Sequence, residues 1–141
     1  MKTFGRIASV LIVALMLTAC GGGAPSGGGI SMTDAAKQFL ESVYQGNKDK
    51  ALEVVCAAQK TAVETQISAI TLPEGTSVDL SGLKYEVASE SGDTGAVKVS
   101  GTLKVTAAGT TQDVDLGASG SPFANIPMKN ESGWKVCIGN P

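Results

Sequence analysis

A chain of 141 residues has room for one domain, and with three Phe, two Tyr and one Trp its core must be built from Val, Leu, Ile and Ala. The formal charge of −2 becomes about −4 once Lys2 and Arg6 are set aside, and the remaining basic residues do not cluster; nucleic acid, whose phosphates call for clustered Lys and Arg, is an unlikely partner by composition. Histidine is absent, which removes the commonest general base and the commonest metal ligand together. The chain therefore reads as non-enzymatic, with no metal and no cofactor called for.

Lys2 and Arg6 precede Ile7–Leu17, an uncharged and mostly aliphatic run of 11 residues. That is the length of a signal-peptide core and too short for a membrane-spanning helix, which needs about 20 apolar residues. The run ends in Leu17-Thr18-Ala19-Cys20, which resembles the lipobox of bacterial lipoproteins. The resemblance implies that Cys20 is acylated and that cleavage falls just before it. Two acyl chains would anchor the protein stably, at about 0.8 kcal/mol per buried methylene. Gly21–Gly29 (GGGAPSGGG) reads as a flexible spacer with a reach of about 15–18 Å. The expected organisation is a signal peptide over 1–19, lipidated Cys and tether over 20–30, and one domain over 31–141.

Ser31 fits a helix N-cap, with Asp34 in the capping-box place and Thr33 as an alternative cap. Ala36, Phe39, Leu40, Val43 and Tyr44 then recur at helical spacing, and Gly46 ends the helix. Asn47 can cap a second helix with Ala51, Leu52, Val55 and Ala58 inward and Cys56 on or beside that face. Val63, Ile67 and Ile70 predict a third helix or an irregular extension, which Pro73-Glu74-Gly75 breaks.

From Val78 the period becomes two. Leu83, Tyr85 and Val87 alternate with Lys84 and Glu86. Ser91–Gly95 turns the chain, and Val97, Val99, Leu103 and Val105 mark the clearest strand. Gly101 falls on the inner face of that strand, where a missing side chain predicts a bend or bulge. Gln112–Leu116 predicts a short strand. Phe123–Met128 is extended, with Pro122 and Pro127 indicating an edge or interrupted pairing. Trp134–Ile138 is the last strand, after a turn at Glu131–Gly133. Helices first and antiparallel strands after define an α+β class, N-terminal helices packed on a strongly curved antiparallel sheet.

Three stretches carry a family likeness: AAKQFLESVYQGNKDKALEVV, YEVASESGDTGAVKVSGTLKV and MKNESGWKVC. Together they resemble the nuclear-transport-factor-2-like (cystatin-like α+β) domains, and most of all the lipoproteins of unassigned function within that superfamily. The resemblance implies a cone-shaped fold whose bent sheet curls around the helices and leaves a cavity. It also implies a tendency to homodimerise through the open sheet face. Enzymes of the superfamily place acidic residues, His or Tyr in the cavity. This chain has no His and no acidic residue at a clear inward position, so those roles do not carry over; the alternative to a non-enzymatic module is a small hydrolase or isomerase that uses a cavity Asp or Tyr alone.

With Cys20 acylated, two thiols remain outside the membrane, Cys56 and Cys137. Their number and compartment favour a disulfide, which would close a loop of about 80 residues and contribute roughly 4 kcal/mol on the chain-entropy model. The alternative is two buried thiols acting as small hydrophobes. Asp113 and Asp115 share one face of a strand and read as its solvated side rather than as a Ca²⁺ or acid–base pair. Phe39, Tyr44, Tyr85 and Trp134 are candidates to line a cavity for a small apolar ligand, against the reading that they simply fill the core. Asn130-Glu131-Ser132 matches a glycosylation pattern but reads as a turn. The partners expected are the membrane, through the acyl chains, and either a small apolar ligand or another envelope protein. The expected location is the extracytoplasmic side of a bacterial membrane.

Overall fold

The computed structural model describes residues 29–70, 72–118, 121 and 123–138; Cys20, Pro122, the signal segment and residues 21–28 of the spacer lie outside them. Helices come first, α1 (Met32–Tyr44), α2 (Lys48–Glu53) and α3 (Lys60–Ala69), the last entered through a single 3-10 turn at Ala57–Gln59. Six strands follow: β1 (Ser77–Asp79), β2 (Leu83–Ser91), β3 (Thr94–Ala107), β4 (Thr110–Asp115), β5 (Asn125–Asn130) and β6 (Trp134–Val136). The sheet is antiparallel and strongly curled into a half-barrel, which makes the fold α+β.

Local chemistry sets both ends of α1. Ser31 Oγ accepts the Asp34 N–H at 3.1 Å and donates to Asp34 Oδ2 at 2.6 Å, so two groups at the helix start satisfy one another. At the other end Gly46 adopts φ +69°. Its N–H donates to the Val43 carbonyl at 3.2 Å and the next N–H, of Asn47, to the Ser42 carbonyl at 2.8 Å. This pair of bonds is the Schellman arrangement, and the left-handed φ it needs favours glycine.

Asn47 then caps α2 through its Oδ1, which accepts the Lys50 N–H at 3.3 Å. The second helix is shorter than its periodicity predicts. It ends at Glu53; after a turn at Val54, Val55 and Cys56 run extended beside β6, where Val55 forms a parallel bridge with Val136. The Val136 N–H donates to the Val54 carbonyl at 2.7 Å, and the Cys56 N–H donates to the Val136 carbonyl at 2.9 Å. Open hydrogen-bonding groups on β6 and two β-branched residues suited to a sheet outcompete another helical turn. Ala58, expected inward, is therefore exposed. In α3, Val63 and Ile67 are buried as their spacing requires, whereas Ile70 lies past the helix end and is 45% exposed.

The axis of the sheet is β3, 14 residues long. Its N-terminal half pairs with β2 and β5, and its C-terminal half with β1 and β4. The exchange of partners falls at Gly101 and Thr102. Gly101 has φ +101°, and the Gly82 carbonyl occupies the place a Cβ would take. A side chain here would meet both backbone strain and a blocked space, so the bend that curls the sheet depends on glycine.

Inward positions along β3 are Val97, Val99 and Leu103, each no more than 1% exposed. Their cross-strand partners face the same side: Tyr85 opposite Val99, Val87 opposite Val97 and Ile126 opposite Val97. Val87 is nonetheless 50% exposed, and the ladder shifts register between Val87 and Ser89. It lies on the concave side, beyond the helical cover.

Of the two expectations for β5, an edge or interrupted pairing, the edge is corrected, whereas the pairing with β6 does stop at Met128, short of Pro127. This strand lies between β3 and β6, with Pro127 opposite Ala96. Pro127 is tolerated because its outward side looks past the end of β6. There its carbonyl accepts the Cys137 N–H at 2.8 Å and no ladder donor is required of it. The space between α1 and the centre of the sheet is filled by Phe39, Leu40, Val97, Val99, Ile126 and Val136, each at most 2% exposed.

Candidate functional site

Where α1 runs out beside β1, two open depressions lie side by side. The first, about 540 Å³, is lined by the α1 terminus at Val43–Gly46, by Ile70, Leu72 and Pro73, and by Thr76–Val78. The second, about 450 Å³, runs back along α1 past Lys37 and Glu41 and is closed on the other side by Val78–Ser81, Leu83 and Tyr85. Gln45 and Val78 belong to both, so the two form one groove between a helix and the β1–β2 margin.

Two polar atoms here are out of the ordinary. The hydroxyls of Tyr85 and Thr76 are buried and have no hydrogen-bond partner among the described residues. A buried polar atom left unpaired costs about 1–3 kcal/mol, so each marks a place where the chain alone leaves bonding capacity unused. Burial, then the negative charge of Glu41, then Tyr44 push the Tyr85 phenol up to about 12. Burial also raises Tyr44. Both are neutral hydrogen-bonding phenols at physiological pH. Asp79, fully exposed at the rim, is held below the usual carboxylate range by the Ser81 N–H, which donates to its Oδ1 at 2.9 Å, then by the Ser81 hydroxyl and by Lys104.

The residues singled out in the sequence are not gathered in one place. Tyr44 and Tyr85 line the groove, one in each depression. Phe39 is 2% exposed in the core, and Trp134 lies on β6, its N–H donating to the Ile30 carbonyl at 3.5 Å near the start of α1. These two line neither depression. Asp113 and Asp115 are exposed along a strand that is exposed at every residue. Cys56 and Cys137 form a disulfide, with Cα atoms 5.3 Å apart, within the range the bond allows. The helix expected to carry Cys56 has already ended, and Cys137 sits one residue past β6. Cys20 lies outside the described residues.

Sequence reasoning missed Thr76, Gln45 and Asp79. The one available signal was the polar row Lys37, Glu41 and Gln45, spaced by four along the flank of the apolar face of α1; Lys37 and Glu41 stand 3.9 Å apart there. No grouping of three or more His, Cys, Asp or Glu that could hold a metal occurs among the described residues. No helix among them is long and apolar enough to cross a membrane.

Fold and groove thus define an α+β half-barrel with a filled centre and an open groove at its rim. No protein-family model and no curated protein matches the chain.

Proposed function

We propose that this protein is a lipid-anchored envelope protein whose domain, a variant of the nuclear-transport-factor-2-like cone, recognises another protein through the groove beside Tyr44 and Tyr85 and catalyses nothing. The anchor rests on Leu17-Thr18-Ala19-Cys20 following an apolar run. The recognition role is carried by one observation, the buried and unpartnered hydroxyl of Tyr85 in the lining of an open groove. A partner supplying one hydrogen bond there recovers about 1 kcal/mol.

A protein partner fits better than an enclosed small molecule, since small-ligand sites surround 70–90% of the ligand by the usual measure and this groove is open along one side. Catalysis by a carboxylate calls for one whose pKa burial has raised. Asp79, the acid at the rim, is fully exposed and shifted the other way.

The anchor is tested by replacing Cys20 with Ser and following palmitate labelling and partition into membranes; both should be lost. For recognition, a photoreactive side chain at Ser77, in the groove, is compared with one at Lys98, an exposed position of β3. Discrete protein adducts are expected from Ser77 alone, weakened by Tyr85→Phe. Equal adduct patterns from the two positions, or an unchanged pattern in Tyr85→Phe, would refute the assignment.

A further inference from the structure

We infer that the domain stands with its β2–β3 hairpin and β5–β6 turn toward the lipid, so that the groove is its membrane-distal pole and the protein that fills it is met in the aqueous space. This rests on the lipid anchor proposed above and adds a direction to it.

The direction comes from where the described chain begins. Gly29 lies against Gly133 in the β5–β6 turn, and Ile30 accepts the Trp134 N–H. The tip of the neighbouring hairpin joins the same end, because the Asn130 N–H donates to the Asp93 carbonyl at 2.7 Å. The Met32 side chain lies over Gly95, close to the hairpin. From this pole α1 runs 13 residues, about 20 Å at 1.5 Å per residue, before Tyr44, Gln45 and Gly46 reach the first depression. Nine residue steps separate Cys20 from Gly29, at most about 30 Å of chain. The average reach of this connection, about 15–18 Å, is shorter than the roughly 20 Å between the two poles, so on average the attachment pole stays nearer the surface than the groove.

The experiment uses the acylated full chain in vesicles of phosphatidylcholine and phosphatidylglycerol doped with a dansyl-headgroup lipid. Trp134, the only tryptophan, reports the attachment pole; Gln45→Trp with Trp134→Phe reports the groove. Energy transfer to the headgroups is expected to be severalfold stronger from Trp134. A photoreactive residue at Glu90 or at Gln45, each in the otherwise natural chain, serves as the second measurement should the double variant fold poorly, with lipid adducts expected from Glu90 alone. A chain that does not float with the vesicles removes the anchor and the orientation with it. A floating chain with equal transfer, or with lipid adducts from Gln45, overturns the orientation and leaves the anchor standing.

Discussion

Opening the Cys56–Cys137 bond should remove most of the margin by which this domain is folded. The two residues are 81 apart in sequence. The chain-entropy relation for a closed loop of that size gives about 4.5 kcal/mol at 25 °C. Both cysteines are positioned independently of the crosslink, Cys56 by its N–H to the Val136 carbonyl and Cys137 by its N–H to the Pro127 carbonyl. The native arrangement can therefore persist after reduction, and the loss falls on the unfolded chain, which becomes freer. Typical domains hold about 5–15 kcal/mol in total, so the reduced form is left close to its threshold. Urea unfolding of oxidised and reduced samples at one pH measures the effect directly. With a slope of about 1.5 kcal/mol per M, the midpoint should fall by roughly 3 M. Oxidised protein should also be two hydrogens lighter by intact mass. A difference in stability below about 1 kcal/mol would refute the argument, since it would mean that the unfolded chain keeps these segments together without the bond.

Gly101→Ala must fit a Cβ where the Gly82 carbonyl lies, at φ +101°, and should cost more than about 2 kcal/mol. Gly109→Ala, at φ +78° with open space around it, should cost about 1 kcal/mol; urea midpoints that rank the two equally would count against the bend. Leu40→Ala, at 0% exposure, should lose about 3 kcal/mol, whereas Val87→Lys should change stability by less than about 0.5 kcal/mol, although Val87 pairs opposite buried Val97. The Tyr85 phenol is neutral in the folded chain up to about 12, while in the unfolded chain it ionises near the usual value of about 10. The unfolded state thus binds fewer protons in that window, so its contribution is intact below about pH 10 and is lost as the pH rises toward 12. Denaturation across this range should show Tyr85→Phe losing stability less steeply than the natural chain, and parallel curves would contradict the placement of the hydroxyl.

Ser31 with Asp34, the glycine after α1 and the period of two along β3 were all legible because each depends on neighbours within a few residues. Gly101 was legible as well, since an inward position without a side chain has few uses in a strand. What escaped was decided across the fold. Val55 satisfies a helical pattern, and only the unpaired groups of β6, some 80 residues away, draw it into an extended path. Alternation assigned Val87 its side of the sheet correctly, but could not show where the helical cover stops. Four aromatic residues were candidates either to line a cavity or to fill the core. Periodicity states which way a residue faces and not what it faces, so Phe39 went to the core and Trp134 to the opposite pole. The groove is built largely from loop and helix-end residues such as Thr76 and Gln45, whose hydrogen-bonding state depends on three-dimensional surroundings.

The bridge between Val55 and Val136 has a bearing on synthesis and transport. A chain threaded through a pore or a ribosomal tunnel emerges N-terminus first, so the helices are exposed long before the strand that completes the layer beneath them. Met128 and Val55 keep an open flank until residues 134–137 arrive. Until then the leading part carries Ala35, Phe39, Leu40 and Val43 with no finished sheet to cover them. Such late, long-range closure is slow compared with local helix formation, and it keeps the emerging polypeptide pliable enough to thread. Cys56 waits, exposed to wrong partners, for a thiol that emerges 81 residues later, so pairing of the sulfurs is bound to follow rather than guide assembly of the strands.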